Sequence, residues 1–432
     1  MKFVMLFENI AVLAPDFSVK ENMFIGVKGD RIEYACETAP ARDYGEKYIG
    51  KNKLLMSGLF NAHSHAAMTL LRGYAENLTL DRWLNERVFP FEAKLTGEDI
   101  YNGTMLGIAE MLRFGTVSYS DMYMQGEYMV KAAAESGIKS NISVSCVCFD
   151  GSSYYDLPCY AEFDSLFKNY RNSENGRIKI DLCVHGEYTS TERVVREAAA
   201  AALERGANAH IHLSETEKEH NDCKMRHKKT PAEYFLDCGL FESNATAAHC
   251  VYVEDNDIEI LKAKNVSVAA NPSSNMKLAS GFLPLPKLLE KGVNVCIGTD
   301  GAASGNNLNG FRSLYLFSLL SKGAFRDPAA VTPAEALRAA TINGAMAQGR
   351  ADSGAIQQGM KADLIVLDVD KPHMRPKTDM VNNLVYAAEG SDVVMTMVDG
   401  KVLYKDGGYT TIDIEKVKYE AIKSSNRIIR EL

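Results

Sequence analysis

The sequence has no apolar run approaching the ~20 residues that a membrane helix needs, so no membrane partner is expected. It has no excess of basic residues either. Lys and Arg number 48 against 56 Asp and Glu, a formal net charge of −8, whereas nucleic-acid binders gather Lys and Arg into a basic footprint. No nucleic-acid partner is expected, and a neutral or cationic small molecule is easier to accommodate. CxxC pairs are absent, and of the nine Cys only Cys146 and Cys148 lie near each other. That argues against a disulfide framework or a structural zinc site and for reduced core thiols in a cytoplasmic protein. Internal repeats and low-complexity segments are lacking too. The opening Met1 to Phe7 faintly resembles a signal peptide, but Glu8 and Asn9 cut the apolar run short, and a first strand is the better reading.

What is present is an ordinary globular balance, 46% hydrophobic and 24% charged over 432 residues, enough for one large domain with an accessory module. Residues 1–55 read as short β-rich pieces, with a hairpin around Gly29-Asp30. From 56 to 354, apolar runs alternate with amphipathic stretches such as 192–205 and 333–344. Strand-like runs recur at 54–61, 116–121, 140–147, 178–185, 208–213, 245–249, 266–271 and 293–300, the number a closed parallel (β/α)₈ TIM barrel requires. Residues 355–432 return to β-rich text with a turn at Asp399-Gly400 and a final helix over 414–430. The expected architecture is α/β: a barrel over 56–354, and a small β-sandwich-like domain from 1–55 and 355–432.

In a parallel barrel the functional groups lie at the C-terminal ends of strands. Here those ends carry Asn61-Ala62-His63-Ser64-His65, His185, His210-Ile211-His212-Leu213-Ser214-Glu215, His249 and Asp300. His63 and His65 are two apart, so in a strand both imidazoles point to one side and can reach one ion. An isolated H-x-H carries little weight. Its conjunction with a His after strand five and an Asp after strand eight makes three nitrogens and one oxygen, a set that suits Zn²⁺ first and also Fe²⁺. Spacing alone does not separate His210 from His212 as the ligand; His212 is nearer the mouth, and His210 reads as a supporting histidine. Glu215 is either a solvated helix-start carboxylate or, beside a metal, a proton carrier. His220, His227 and His373 read as solvated. His185 rather than a Lys ends strand four, which favours a single ion over a bridged pair.

These residues resemble the amidohydrolase superfamily and, within it, the 5-methylthioadenosine/S-adenosylhomocysteine deaminase group. The marks run from Ser57-Gly58-Leu59-Phe60-Asn61-Ala62-His63-Ser64-His65 through Met68 to Gly73, Trp83-Leu84 and Phe89-Pro90-Phe91-Glu92-Ala93. They continue at His212-Leu213-Ser214-Glu215-Thr216, Asn271-Pro272-Ser273-Ser274-Asn275, Gly298-Thr299-Asp300-Gly301 and Gly359 to Val366. The resemblance implies one divalent ion on His63, His65, His212 and Asp300, with His249 holding the attacking water. It implies Glu215 and Asp300 facing the purine, His185 at the nucleoside and Glu92 at the ribose hydroxyls. The implied reaction is hydrolytic deamination of an adenine nucleoside (5-methylthioadenosine, adenosine or S-adenosylhomocysteine), with Glu215, His249 and Asp300 catalytic, in a homo-oligomer.

Residues 139–168 contain no Arg, where relatives that accept the homocysteine-bearing nucleoside are expected to offer one. A neutral adenosine-like substrate fits better. The alternatives are a deaminase or chlorohydrolase acting on a free base, pterin or aminotriazine, and a catalytically dead barrel used as a scaffold. The last predicts eroded ligands, and every ligand is present.

Overall fold

A computed structural model describes residues 4–432, so the expectation for Met1 to Phe3 lies outside the described residues. Leu59–Ser64, Thr116–Tyr123, Lys139–Val144 and Ala209–Leu213 are buried at every position. Strands covered on both faces carry apolar or small residues without alternation and take parallel neighbours. Accordingly, Leu59–Ser64, Thr116–Tyr123, Lys139–Val144 and Ile178–Ile180 pair in parallel as one sheet. Leu182–Cys183, Ala209–Leu213, Ala245–His249, Ser267–Ala270 and Val295–Ile297 pair in parallel as a second.

All eight expected strand regions occur, but in two sheets rather than one unbroken ring. The fourth region is interrupted at Asp181, whose carboxylate accepts from Asn141 Nδ2 at 2.9 Å. At the other junction the chain leaves the ladder after Ile297, and the N–H groups of Thr299 and Asp300 both donate to the His63 carbonyl, at 3.1 and 3.0 Å.

The first expected strand, 54–61, is two strands. Lys53–Ser57 belongs to an outer sheet and Leu59–Ser64 to the parallel set. Gly58 makes the crossing, where a Cβ would lie 2.2 Å from Val117 Cγ1. Both chain ends build the outer sheet of nine strands, in which Lys53–Ser57 lies between Val4–Leu13 and Leu364–Asp368. It has its own core of Phe7, Ile25, Leu55, Val366 and Met395. The turn at Asp399-Gly400 has positive φ at both residues, as a two-residue hairpin turn requires.

Helices flank the parallel strands. Glu192–Arg205 starts at Thr191, whose side chain accepts from Val194 N, and stops at Gly206 with φ +60°. The stretch expected as one helix over 333–344 is two, Pro333–Ala340 and Ile342–Ala347, broken at Thr341. The Thr341 hydroxyl bonds back to the Leu337 carbonyl at 2.7 Å, a bond that bends helices. The last helix is Ile414–Glu431, and no helix of the described residues is long and apolar enough to cross a membrane.

Candidate active site

The C-terminal ends of the parallel strands surround a cavity of about 660 Å³, on whose wall stand His65, Glu92, His185, His212, Glu215, His249 and Asp300. His63 lies fully buried beneath it. The period-two argument holds in space: His63, His65 and His212 offer ring nitrogens within 4.8 Å of one another, and ring nitrogens of His63 and His249 with a carboxylate oxygen of Asp300 form a second group within the same distance. His249, expected only beside an ion, thus joins the same cluster.

The outer nitrogen of each ring is already engaged. His65 Nδ1 bonds the Met122 carbonyl, His212 Nδ1 the His185 carbonyl at 2.7 Å, and His249 Nδ1 the Asn275 Oδ1 at 2.8 Å. A carbonyl oxygen only accepts, so Nδ1 of each carries a proton, and in the neutral ring Nε2 is then the lone-pair donor. His63 Nδ1 meets His210 Nε2 at 2.9 Å, which puts His210 behind His63. The inward His63 Nε2 is buried with no protein hydrogen-bond partner.

Asp300 Oδ1 stands 3.5 Å from His63 Nε2 and 3.3 Å from His65 Nε2. Two ligands each ~2.0–2.1 Å from a tetrahedral zinc are themselves ~3.3–3.4 Å apart. An orphaned inward nitrogen, preset tautomers and this spacing fit one divalent ion. The carboxylate is aimed by Gly301 N–H, which donates to Oδ1 at 2.8 Å, and by Ser304 Oγ, which donates to Oδ2 at 2.9 Å.

Glu215 is buried, its Oε1 3.8 Å from His249 Nδ1 and 3.4 Å from Ser280 Oγ, which donates to it. Burial raises its carboxyl above the ordinary value. His185 has its Nδ1 3.1 Å from Thr189 Oγ1, and burial pushes it down to about 3, so it is neutral. Its own carbonyl orients His212. Glu92 ends the short helix Phe89–Glu92 at the cavity wall, half-buried, and the protein packed around it pushes its carboxyl up to about 7. The buried Tyr123 hydroxyl stands beside it.

Sequence reasoning missed Glu219. Its carboxylate accepts from the Ser214 and Glu215 N–H groups, at 2.8 and 2.7 Å, and so fixes the turn that presents Glu215. The only signal was Thr216-x-x-Glu219, a capping pattern, whose carboxylate here reaches past the cap to the turn before it. His220, expected to be solvated, is buried and bonds Ser214 Oγ at 3.1 Å and Glu254 at 3.2 Å. His227 bonds the buried Glu187 at 2.9 Å.

A family model described as the amidohydrolase family matches residues 54–403. A 5-methylthioadenosine/S-adenosylhomocysteine deaminase of Dictyoglomus thermophilum is 43% identical over 426 residues, covering 99% of each chain. A 5′-deoxyadenosine deaminase of Methanosarcina mazei is 42% identical over 381 residues, covering 88% of this chain and 87% of that one. Among solved structures, an adenosine deaminase of Xanthomonas campestris with bound zinc superposes with a TM-score of 0.93 at 30% identity, covering 99% of both chains.

Proposed function

The chain belongs to the amidohydrolase family, and from that premise we propose that it hydrolyses the 6-amino group of an adenine nucleoside, releasing ammonia and the inosine analogue. The observation that carries this reading is the convergence of inward Nε2 atoms and the Asp300 carboxylate on one point, with Glu215 beside His249 at the same cavity wall. Relatives at about 40% identity bear the names of deaminases acting on 5-methylthioadenosine, S-adenosylhomocysteine and 5′-deoxyadenosine.

In this reading His63, His65, His212 and Asp300 hold one divalent ion, zinc in the first place and ferrous iron in the second. Such an ion, when bound, lowers the pKa of a coordinated water from ~15.7 to about 7. His249, whose Nδ1 is held by Asn275 Oδ1, would orient the attacking water and, with Asp300, take up its proton. Glu215, whose carboxyl burial raises above its ordinary value, would donate its proton to a ring nitrogen as water adds to the carbon bearing the amine, so no negative charge accumulates on the ring. The amine would then take up the proton held by Asp300 and His249, the carbon–nitrogen bond would break to release ammonia, and the new hydroxyl would give its proton back to Glu215 as the carbonyl forms. Glu92 accepts from the ribose hydroxyls and the neutral His185 contacts the nucleoside.

We read the two parallel sheets as one (β/α)₈ barrel over 56–354, bridged through Asp181 and through the His63 carbonyl. Residues 1–55 and 355–432 form the sandwich-like accessory module around its separate core. Exposed Tyr315 and Leu319 on Gly310–Phe325 support a homo-oligomer, and nine free cysteines suit a cytoplasmic enzyme. The test is product analysis with adenosine, 5-methylthioadenosine, guanine, cytosine and an aminotriazine. Ammonia and the inosine analogue from the first two are expected; turnover of only the free bases or the triazine would reassign the substrate.

A further inference from the structure

The cavity extends past the groups that the chemistry uses. Its wall also includes Val147 and Phe149, on the loop after Lys139–Val144, and Leu157 and Cys159, around the start of Pro158–Tyr170. The one further charged residue on the wall is Glu162, which accepts a hydrogen bond from Gly126 N–H and also borders a second cavity of about 330 Å³ beside Glu127. Among the described residues no Lys or Arg lines the main cavity.

Three cations on the neighbouring segments are engaged elsewhere. Arg82 bonds Glu86 at 2.6 Å, Arg87 lies over the Tyr74 ring at 5.7 Å, and Lys277, next to the lining Leu278, bonds Glu76 at 2.7 Å. A carboxylate brought into this compartment would meet apolar wall and a like charge, with no bidentate partner to replace its lost water.

We propose that this compartment receives the 5′ group of the nucleoside and selects short, uncharged, apolar substituents, such as hydrogen or methylthio, over a chain ending in a carboxylate. The proposal rests on the nucleoside reading above. Val147, Phe149 and Cys159 supply the apolar contact; a homocysteine tail brings an ammonium, which Glu162 can meet, and a carboxylate, which nothing on the wall can meet, so the carboxylate is the group left unpaired.

The experiment compares kcat/KM of the metal-loaded protein for adenosine, 5′-deoxyadenosine, 5-methylthioadenosine and S-adenosylhomocysteine. S-Adenosylhomocysteine is expected at least about a hundredfold below 5-methylthioadenosine, the scale on which unpaired polar groups discriminate. A value within about threefold would overturn the proposal. Val147→Arg, at a position already 41% exposed, should raise the ratio of homocysteine to methylthio turnover about tenfold or more, whereas Glu162→Gln, which removes the acid open to the tail's ammonium, should not raise it. An unchanged ratio in Val147→Arg, with metal content and circular dichroism intact, would also overturn it. If no nucleoside releases ammonia but a free base does, the nucleoside reading itself fails and takes this proposal with it, an outcome distinct from equal turnover of the two thioethers.

Discussion

Asp300 turns back onto His63 twice: its N–H donates to the His63 carbonyl at 3.0 Å, and its Oδ1 stands 3.5 Å from His63 Nε2. The φ of +60° at Asp300 makes this return possible. For a non-glycine residue such a conformation costs of order 1–3 kcal/mol and persists only where its surroundings over-determine it. Here the Gly301 and Ser304 bonds and the shared His63 carbonyl do so.

Because protein hydrogen bonds hold each donor side chain in place, losing one donor opens the set without unfolding the strands. The purified protein should carry about one equivalent of zinc or iron by elemental analysis, and His63→Ala or Asp300→Asn should each lose most of it. Full retention in both variants would remove these residues from the ligand set.

Glu215→Gln keeps shape but cannot carry a proton. Metal content should be unchanged, and kcat should fall on the order of 10²–10⁴-fold. More than about a tenth of wild-type kcat would take Glu215 out of the proton path.

Glu219 acts through Glu215 and is a positioning residue. Glu219→Ala strands two buried N–H groups at Ser214 and Glu215, each about 1–3 kcal/mol, so the melting temperature should drop. In steady-state assays at a temperature where the variant stays folded, kcat should fall about ten- to a hundredfold with little change in KM, and Glu219→Gln, which restores one acceptor, should recover part of it. Equal losses in Ala and Gln with KM rising in step would point to general destabilisation instead.

Glu92 sets a pH dependence. Burial pushes its carboxyl up to about 7, and only the ionised form accepts from both ribose hydroxyls. As pH falls from about 8 to about 6, kcat/KM for adenosine should drop relative to a 2′,3′-dideoxy analogue, and Glu92→Ala should abolish that difference. A charged acceptor of this kind contributes roughly 1.5–3 kcal/mol, or about ten- to a hundredfold in kcat/KM. Identical profiles for the two substrates would separate Glu92 from the ribose.

Much of this site is legible in the chain because strand geometry is periodic. His63, His65 and His212 converge since alternate residues of a strand share a side and parallel strands end on one face. The turns are less legible. Glu219 depends on the left-handed Ser214, with φ +48°, a conformation that residue type does not announce. His220 looks solvated in its polar stretch, yet the helix Glu217–His227 turns it inward onto Ser214. The first strand reads as continuous across Gly58 because both halves are apolar, and only the contact with Val117 explains the crossing. Asp181 looks like an ordinary polar residue in a strand, although it interrupts the ladder between the two parallel sheets.

The most direct test of the account is a metal titration of ammonia release. The protein is stripped with a chelator, reloaded stepwise with zinc, and assayed on 5-methylthioadenosine at each step. The account predicts no turnover in the stripped protein and a linear rise that breaks at one zinc per chain, with one ammonia formed per inosine analogue. Protein holding one zinc per chain and releasing no ammonia from any adenine nucleoside would contradict it.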